Sequence, residues 1–195
     1  MDKKEVAAFF DRCAPKWDAE MIRSDQIIGV ILDNAGVTAG MRVLDIACGT
    51  GVLMPDYLAR NVQSVTGIDI SPAMADIAVK KFANEPRVTI VNGDAESFRF
   101  DTVFDCIIIY NAFPHFADPA ALFDNLSKYL APGGSLTVAH GMSRDKIGRH
   151  HAENASKVSV GLLHEDELAA LLAKYVAVDT VISNDEMYQV SGKRG

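Results

Sequence analysis

Two carboxylates and two glycines mark where this chain could do chemistry. An apolar run, Val43-Leu44-Asp45-Ile46-Ala47, ends in the turn Cys48-Gly49-Thr50-Gly51, and a second apolar run closes on Gly67-Ile68-Asp69-Ile70-Ser71. Gly49 and Gly51 permit the unusual dihedrals and the close backbone approach that a strand needs to turn over a ligand into a helix. Asp69, ending the next strand, can offer both carboxylate oxygens to the hydroxyls of a ribose. This is nucleotide-type recognition. A pyrophosphate-binding dinucleotide fold would carry a third glycine in G-x-G-x-x-G, yet Met54, followed by Pro55, stands at that position. A cofactor without a pyrophosphate fits the turn better.

The elements that must position these residues follow from periodicity. Residues 3 to about 35 read as helical and are interrupted at Pro15. From residue 41, apolar runs alternate with helical ones: strands over 41–46, 62–69, 87–92, 103–109 and 134–140, helices over 52–60, 72–83 and 118–130. That alternation predicts a parallel sheet with helices on both faces. The nearly unbroken apolar run Phe104-Asp105-Cys106-Ile107-Ile108-Ile109 predicts the central strand. After a polar segment at 141–159 comes a helix over 164–174. Two last strand-like runs, 176–183 and 187–191, are joined by Asn184-Asp185, whose turn chemistry predicts an antiparallel hairpin.

With its motifs in this order, the chain resembles the class I S-adenosylmethionine-dependent methyltransferases, and most closely the subgroup of ubiquinone and menaquinone biosynthesis enzymes. The resemblance implies a Rossmann-like α/β fold, with a mostly parallel seven-stranded sheet over 41–192 and a helical lid over 1–35. It also implies S-adenosyl-L-methionine as cofactor. Asp45, Ala47, Gly49, Gly51, Asp69 and Ile70 then form the cofactor loops, and Asp94 with the backbone of Ala95 meets adenine. Asn111 lies near the methionine end. The opening segment Phe9 to Asp18 resembles the subgroup's lid, in which Trp17 either covers the sulfonium through cation–π attraction or anchors the first helix in the core. The turn Pro132-Gly133-Gly134 is structural, a tight connection into the fifth strand.

Ligands of open α/β sheets bind beyond the carboxyl ends of the strands, where His115 and His140 fall. Each is a candidate base, or else a pocket-lining imidazole that moves no proton. Adjacent His150 and His151 cannot converge on one metal from a helix, and His164 before Glu165-Asp166-Glu167 reads as a helix start, so no metal site is expected.

At 195 residues the chain suits one domain, and its 49% hydrophobic composition is ordinary for a globular protein. A net charge of −7 argues against a nucleic-acid surface and favours a small-molecule acceptor. The first residues show no signal-peptide core and no run approaches a membrane span, so a cytoplasmic location without membrane attachment is expected. Cys13, Cys48 and Cys106 are read as free thiols. The function expected is transfer of a methyl group to a small molecule by in-line displacement. Its rival is a module that binds S-adenosylmethionine or S-adenosylhomocysteine for regulation.

Overall fold

A computed structural model of the protein describes residues 1–155 and 157–195, and the side chains of all of these except 150–154. Seven strands form one sheet in the order β3-β2-β1-β4-β5-β7-β6. They are β1 (Arg42–Ile46), β2 (Ser64–Asp69), β3 (Val88–Asn92), β4 (Phe104–Tyr110), β5 (Leu130–His140), β6 (Ala177–Ser183) and β7 (Tyr188–Lys193). Every pairing is parallel except those made by β7, which runs against both β5 and β6. The central position of β4 follows from its composition, since Cys106 to Ile109 are completely buried between two helical layers.

The period of two along the strands sorts the core into halves. Val43, Val65, Cys106 and Ile108 face α3 (Asp25–Asn34) and α4 (Met54–Ala59), where Ile28, Leu32, Leu53 and Tyr57 close the layer. Leu44, Ile46, Ile68, Ile107 and Ile109 face the other way. They meet Phe123 and Leu126 of α6 (Pro119–Leu126) and Leu168 and Leu172 of α8 (Glu165–Leu172). Side chains of the sheet also tie down carbonyls at the carboxyl end of α3. Gln189 Nε2 donates to the Ile31 carbonyl at 3.0 Å, and Ser135 Oγ donates to that of Ala35 at 2.7 Å.

Met54 explains how the glycine turn does without a third glycine. It opens α4, is completely buried, and packs directly on β2 at Gly67. A Cβ at Gly67 would lie 2.7 Å from Met54 Cε, 2.8 Å from Cys48 Sγ and 3.0 Å from Ile90 Cδ1. The close approach of helix to strand is kept, but the missing side chain is on the strand. Gly67→Ala should therefore cost about 2 kcal/mol through overpacking and displace the turn that holds Cys48. Chemical denaturation checks this, and unchanged stability would show that the layer relaxes freely.

Two local readings are corrected. Pro132-Gly133-Gly134 is not a turn ahead of the strand, for β5 already begins at Leu130. Leu130 pairs with Phe104 and Ser135 with Cys106, so the intervening residues bulge from the ladder. They are held there because the Gly133 N–H donates to the Arg194 carbonyl and the Arg194 N–H donates to that of Gly134. The helix expected to run to residue 130 ends at Leu126 and tightens into a 3-10 turn over Ser127–Tyr129. The polar segment after β5 contains a helix, α7 (Arg144–Asn154). At the amino end, Pro15 sits in a 3-10 turn between α1 (Lys3–Cys13) and the short α2 (Trp17–Glu20), and α5 (Pro72–Lys81) follows β2.

Candidate functional site

The carboxyl ends of β1 to β5 and the helices of residues 3–23 enclose a cavity of about 760 Å³, within the range of small-molecule sites. Of the twelve residues singled out from sequence, eleven line it: Trp17, Asp45, Ala47, Gly49, Asp69, Ile70, Asp94, Ala95, Asn111, His115 and His140. Gly51 stands behind the turn, where a Cβ would meet the Phe82 ring at 2.5 Å, and its φ of +84° keeps the loop tight.

The turn alternates left-handed residues, Ala47 at φ 54°, Gly49 at 56° and Gly51 at 84°. Ala47 holds a conformation that glycine adopts more readily, a form of local strain found at binding sites. Asp69 is fastened at both oxygens: Oδ2 accepts the Gly49 N–H and Oδ1 that of Ser71, each at 2.8 Å. Burial pushes this carboxyl up to about 6; the two backbone donors hold it down, and the Asp11 charge pushes it further up. It is 7% exposed, with lone pairs left for hydroxyl donors.

Two buried polar atoms on the wall have no hydrogen-bond partner among the described residues, Asp45 Oδ2 and Trp17 Nε1. Burial holds the Asp45 carboxyl well above its ordinary range, and the Asp69 charge adds to this. The Trp17 Nε1 lies 3.8 Å from where a Gly49 Cβ would be, so the indole roofs the glycine turn. An orphan acceptor and an orphan donor on one wall suit a ligand that carries both an ammonium and a hydrogen-bond acceptor.

At the β3 turn, Asp94 Oδ2 receives Lys3 Nζ at 2.7 Å and Ser97 Oγ at 3.1 Å, while Oδ1 accepts the Glu96 N–H at 3.0 Å. Burial raises this carboxyl, and the ion pair with its supporting bonds more than offsets that, leaving it below the usual range. Asn125 Nδ2 donates to the Ala95 and Phe98 carbonyls at 2.9 Å and fixes the turn. At the opposite pole Asn111, with φ 53°, accepts the Gly141 N–H on Oδ1 at 2.9 Å and so joins the ends of β4 and β5.

His115 Nδ1 lies 2.6 Å from the Val158 carbonyl. A carbonyl only accepts, so Nδ1 carries the proton and the lone pair is on Nε2. Burial lowers the imidazole below its ordinary value and the Val158 bond partly restores it. The Phe10 ring meets it edge-on at 4.9 Å. His140, 2% exposed, ends β5 edge-on to Tyr188 at 6.2 Å.

A family profile described as a methyltransferase domain matches residues 43–134. The chain is 31% identical over 147 residues to a demethylmenaquinone methyltransferase of Renibacterium salmoninarum, an alignment covering 71% of this chain and 60% of that protein. Residues 43–134 thus match a methyltransferase domain. An uncharacterized methyltransferase of Schizosaccharomyces pombe is 32% identical over 172 residues, with 80% of this chain and 55% of the relative covered. The chain thus spans little more than half the length of these curated relatives. The magnesium protoporphyrin IX methyltransferase of Synechocystis, solved with bound S-adenosylhomocysteine, superposes over both full chains with a TM-score of 0.74 at 16% identity and shares the fold.

Outside the residues that match the methyltransferase domain, sequence reasoning missed the polar anchors of the amino-terminal segment. Asp11 Oδ1 accepts Ser71 Oγ at 2.6 Å and the Ala73 N–H at 3.1 Å. Asp18 accepts Thr50 Oγ1 at 2.5 Å and Lys81 Nζ at 3.0 Å. Arg23 forks onto both Asp56 oxygens at 2.7 Å and also donates to the Val52 carbonyl at 2.7 Å. Each partner lies tens of residues away, and no local pattern announces it.

Proposed function

We propose that this chain binds S-adenosyl-L-methionine and transfers its methyl group to a small-molecule acceptor. The observation that carries the proposal is Asp69, buried on the wall of a nucleoside-sized cavity with both oxygens fixed by backbone donors. Asp69 holds the ribose hydroxyls, Asp45 the methionine ammonium, and Asp94 with Ala95 the adenine edge. Trp17 covers the glycine turn, and residues 1–35 serve as the lid. When bound, the cofactor supplies an electrophilic methyl group on a sulfonium. The protein's task is then to align the acceptor and exclude water. Phe10, Phe116, Met142 and Ile147 line the pole where His115 and His140 face the cavity, which suits a small and largely apolar acceptor. His115, with its lone pair on Nε2, takes the acceptor's proton where one must leave.

Isothermal titration of the protein with S-adenosylmethionine, S-adenosylhomocysteine and NAD tests the cofactor. Micromolar binding of the first two and none of NAD is expected. Binding of NAD alone would overturn the proposal. Methylated product from any acceptor then separates transfer from binding alone.

A further inference from the structure

The first helix, α1, lies across the cavity and is pinned at both ends. At its carboxyl end the Asp11 carboxylate is the part-buried acceptor for Ser71 and Ala73. At its amino end Lys3 Nζ lies 2.7 Å from Asp94 Oδ2 and 2.6 Å from Glu96 Oε2. Between the pins, Val6, Phe9 and Phe10 pack on Ile70, Ala155 and Val158, and the Phe10 ring meets His115 and Trp17 edge-on. The two pins differ in kind. The Lys3 side chain is 44% exposed whereas that of Glu96 is 8% exposed, and Lys3, Asp94 and Glu96 all line the cavity. The lysine is therefore both a piece of wall and a group that solvent ions reach.

We propose that Lys3 is the positioning residue that closes the adenine end of the cavity, and that cofactor exchange proceeds by parting it from Asp94 and Glu96 while α1 turns about its Asp11 end. The inference rests on the cofactor reading above. Asp94 gives three of its roughly four acceptor positions to Lys3, Ser97 and the Glu96 amide, so Lys3 also fixes which one is left toward the adenine amine. An exposed ion pair contributes little to equilibrium stability. Its loss should appear in exchange rate.

Trp17, the single tryptophan of the chain, reports on the site by fluorescence. Dissociation of S-adenosylhomocysteine, followed by stopped flow with excess S-adenosylmethionine as chase, should be about two- to fivefold faster in Lys3→Met than in the wild type. The equilibrium constant should move less than the rate. Wild-type dissociation should accelerate between about 0.05 and 0.5 M salt as charges are screened, whereas that of Lys3→Met should not. Lys3→Arg, able to fork onto both carboxylates, should restore slow, salt-sensitive release. Dissociation of Lys3→Met at the wild-type rate, or a change in affinity with no change in that rate, overturns the role of Lys3 and leaves the cofactor reading standing. Failure of the wild type to bind S-adenosylhomocysteine overturns both.

Discussion

Asp69→Asn is expected to weaken S-adenosylhomocysteine binding about 100-fold, because a neutral amide loses the charge of the hydrogen bonds and presents one acceptor atom where two were engaged. The wild-type carboxyl, lifted to about 6 by burial, should couple binding to protons. Ribose hydroxyls donate to the anion, so the bound state favours ionised Asp69 and its proton leaves on binding. Near pH 6 about half a proton per ligand should be released, seen as a buffer-dependent heat in calorimetry and absent from Asp69→Asn. Affinity should fall as pH drops through 6. The Asp11 charge adds to the rise, and the asparagine variant isolates the part that belongs to Asp69. Stability runs the opposite way. The folded value lies above the ordinary 3.8, so the contribution of Asp69 to the ligand-free fold is fully present below about 4 and lost as pH rises through 6, by about 3 kcal/mol. Cofactor binding offsets that cost. Proton release unchanged in the variant would refute the assignment.

His115→Asn should leave S-adenosylhomocysteine affinity unchanged and lower turnover by a factor of about 10²–10⁴, the usual contribution of a general base. Asparagine can still donate to the Val158 carbonyl, so the 2.6 Å tie of the loop is replaced while the lone pair of Nε2 is lost. Burial lowers the imidazole, so wild-type His115 is already neutral at pH 7. Turnover should decline only as pH falls below the ordinary imidazole value of about 6.5, with no such limb in the variant. The measurement is initial rate against pH with an acceptor that the protein methylates. Full turnover by His115→Asn would leave His140, the other imidazole on the wall, as the candidate.

Much of the architecture was written in short-range pattern. Strand alternation, the apolar run of β4, Asn184-Asp185 between antiparallel strands and the acids after His164 each act within a few residues. For that reason the sheet and its terminal hairpin follow from local chemistry. Where neighbours competed, local reading slipped: Pro132-Gly133-Gly134 has turn composition, but the chain end at Arg194 pairs with it and extends β5. Met54 carried half of a message. It excluded a third glycine, while the compensating gap at Gly67 emerges only when α4 is laid on β2.

The sequence by itself determined the glycine turn, the acid ending β2, the order of strands and helices, and the family these imply, because dihedral freedom, side-chain period and charge type are properties of residues and their near neighbours. Only the tertiary structure decided that Asp94 meets Lys3 and Glu96, that Asp18 reaches Thr50 and Lys81, and that Nε2 of His115 bears the lone pair. Those are consequences of packing, which brings together groups as far apart as positions 3 and 94 and changes the cost of a charge by removing water around it.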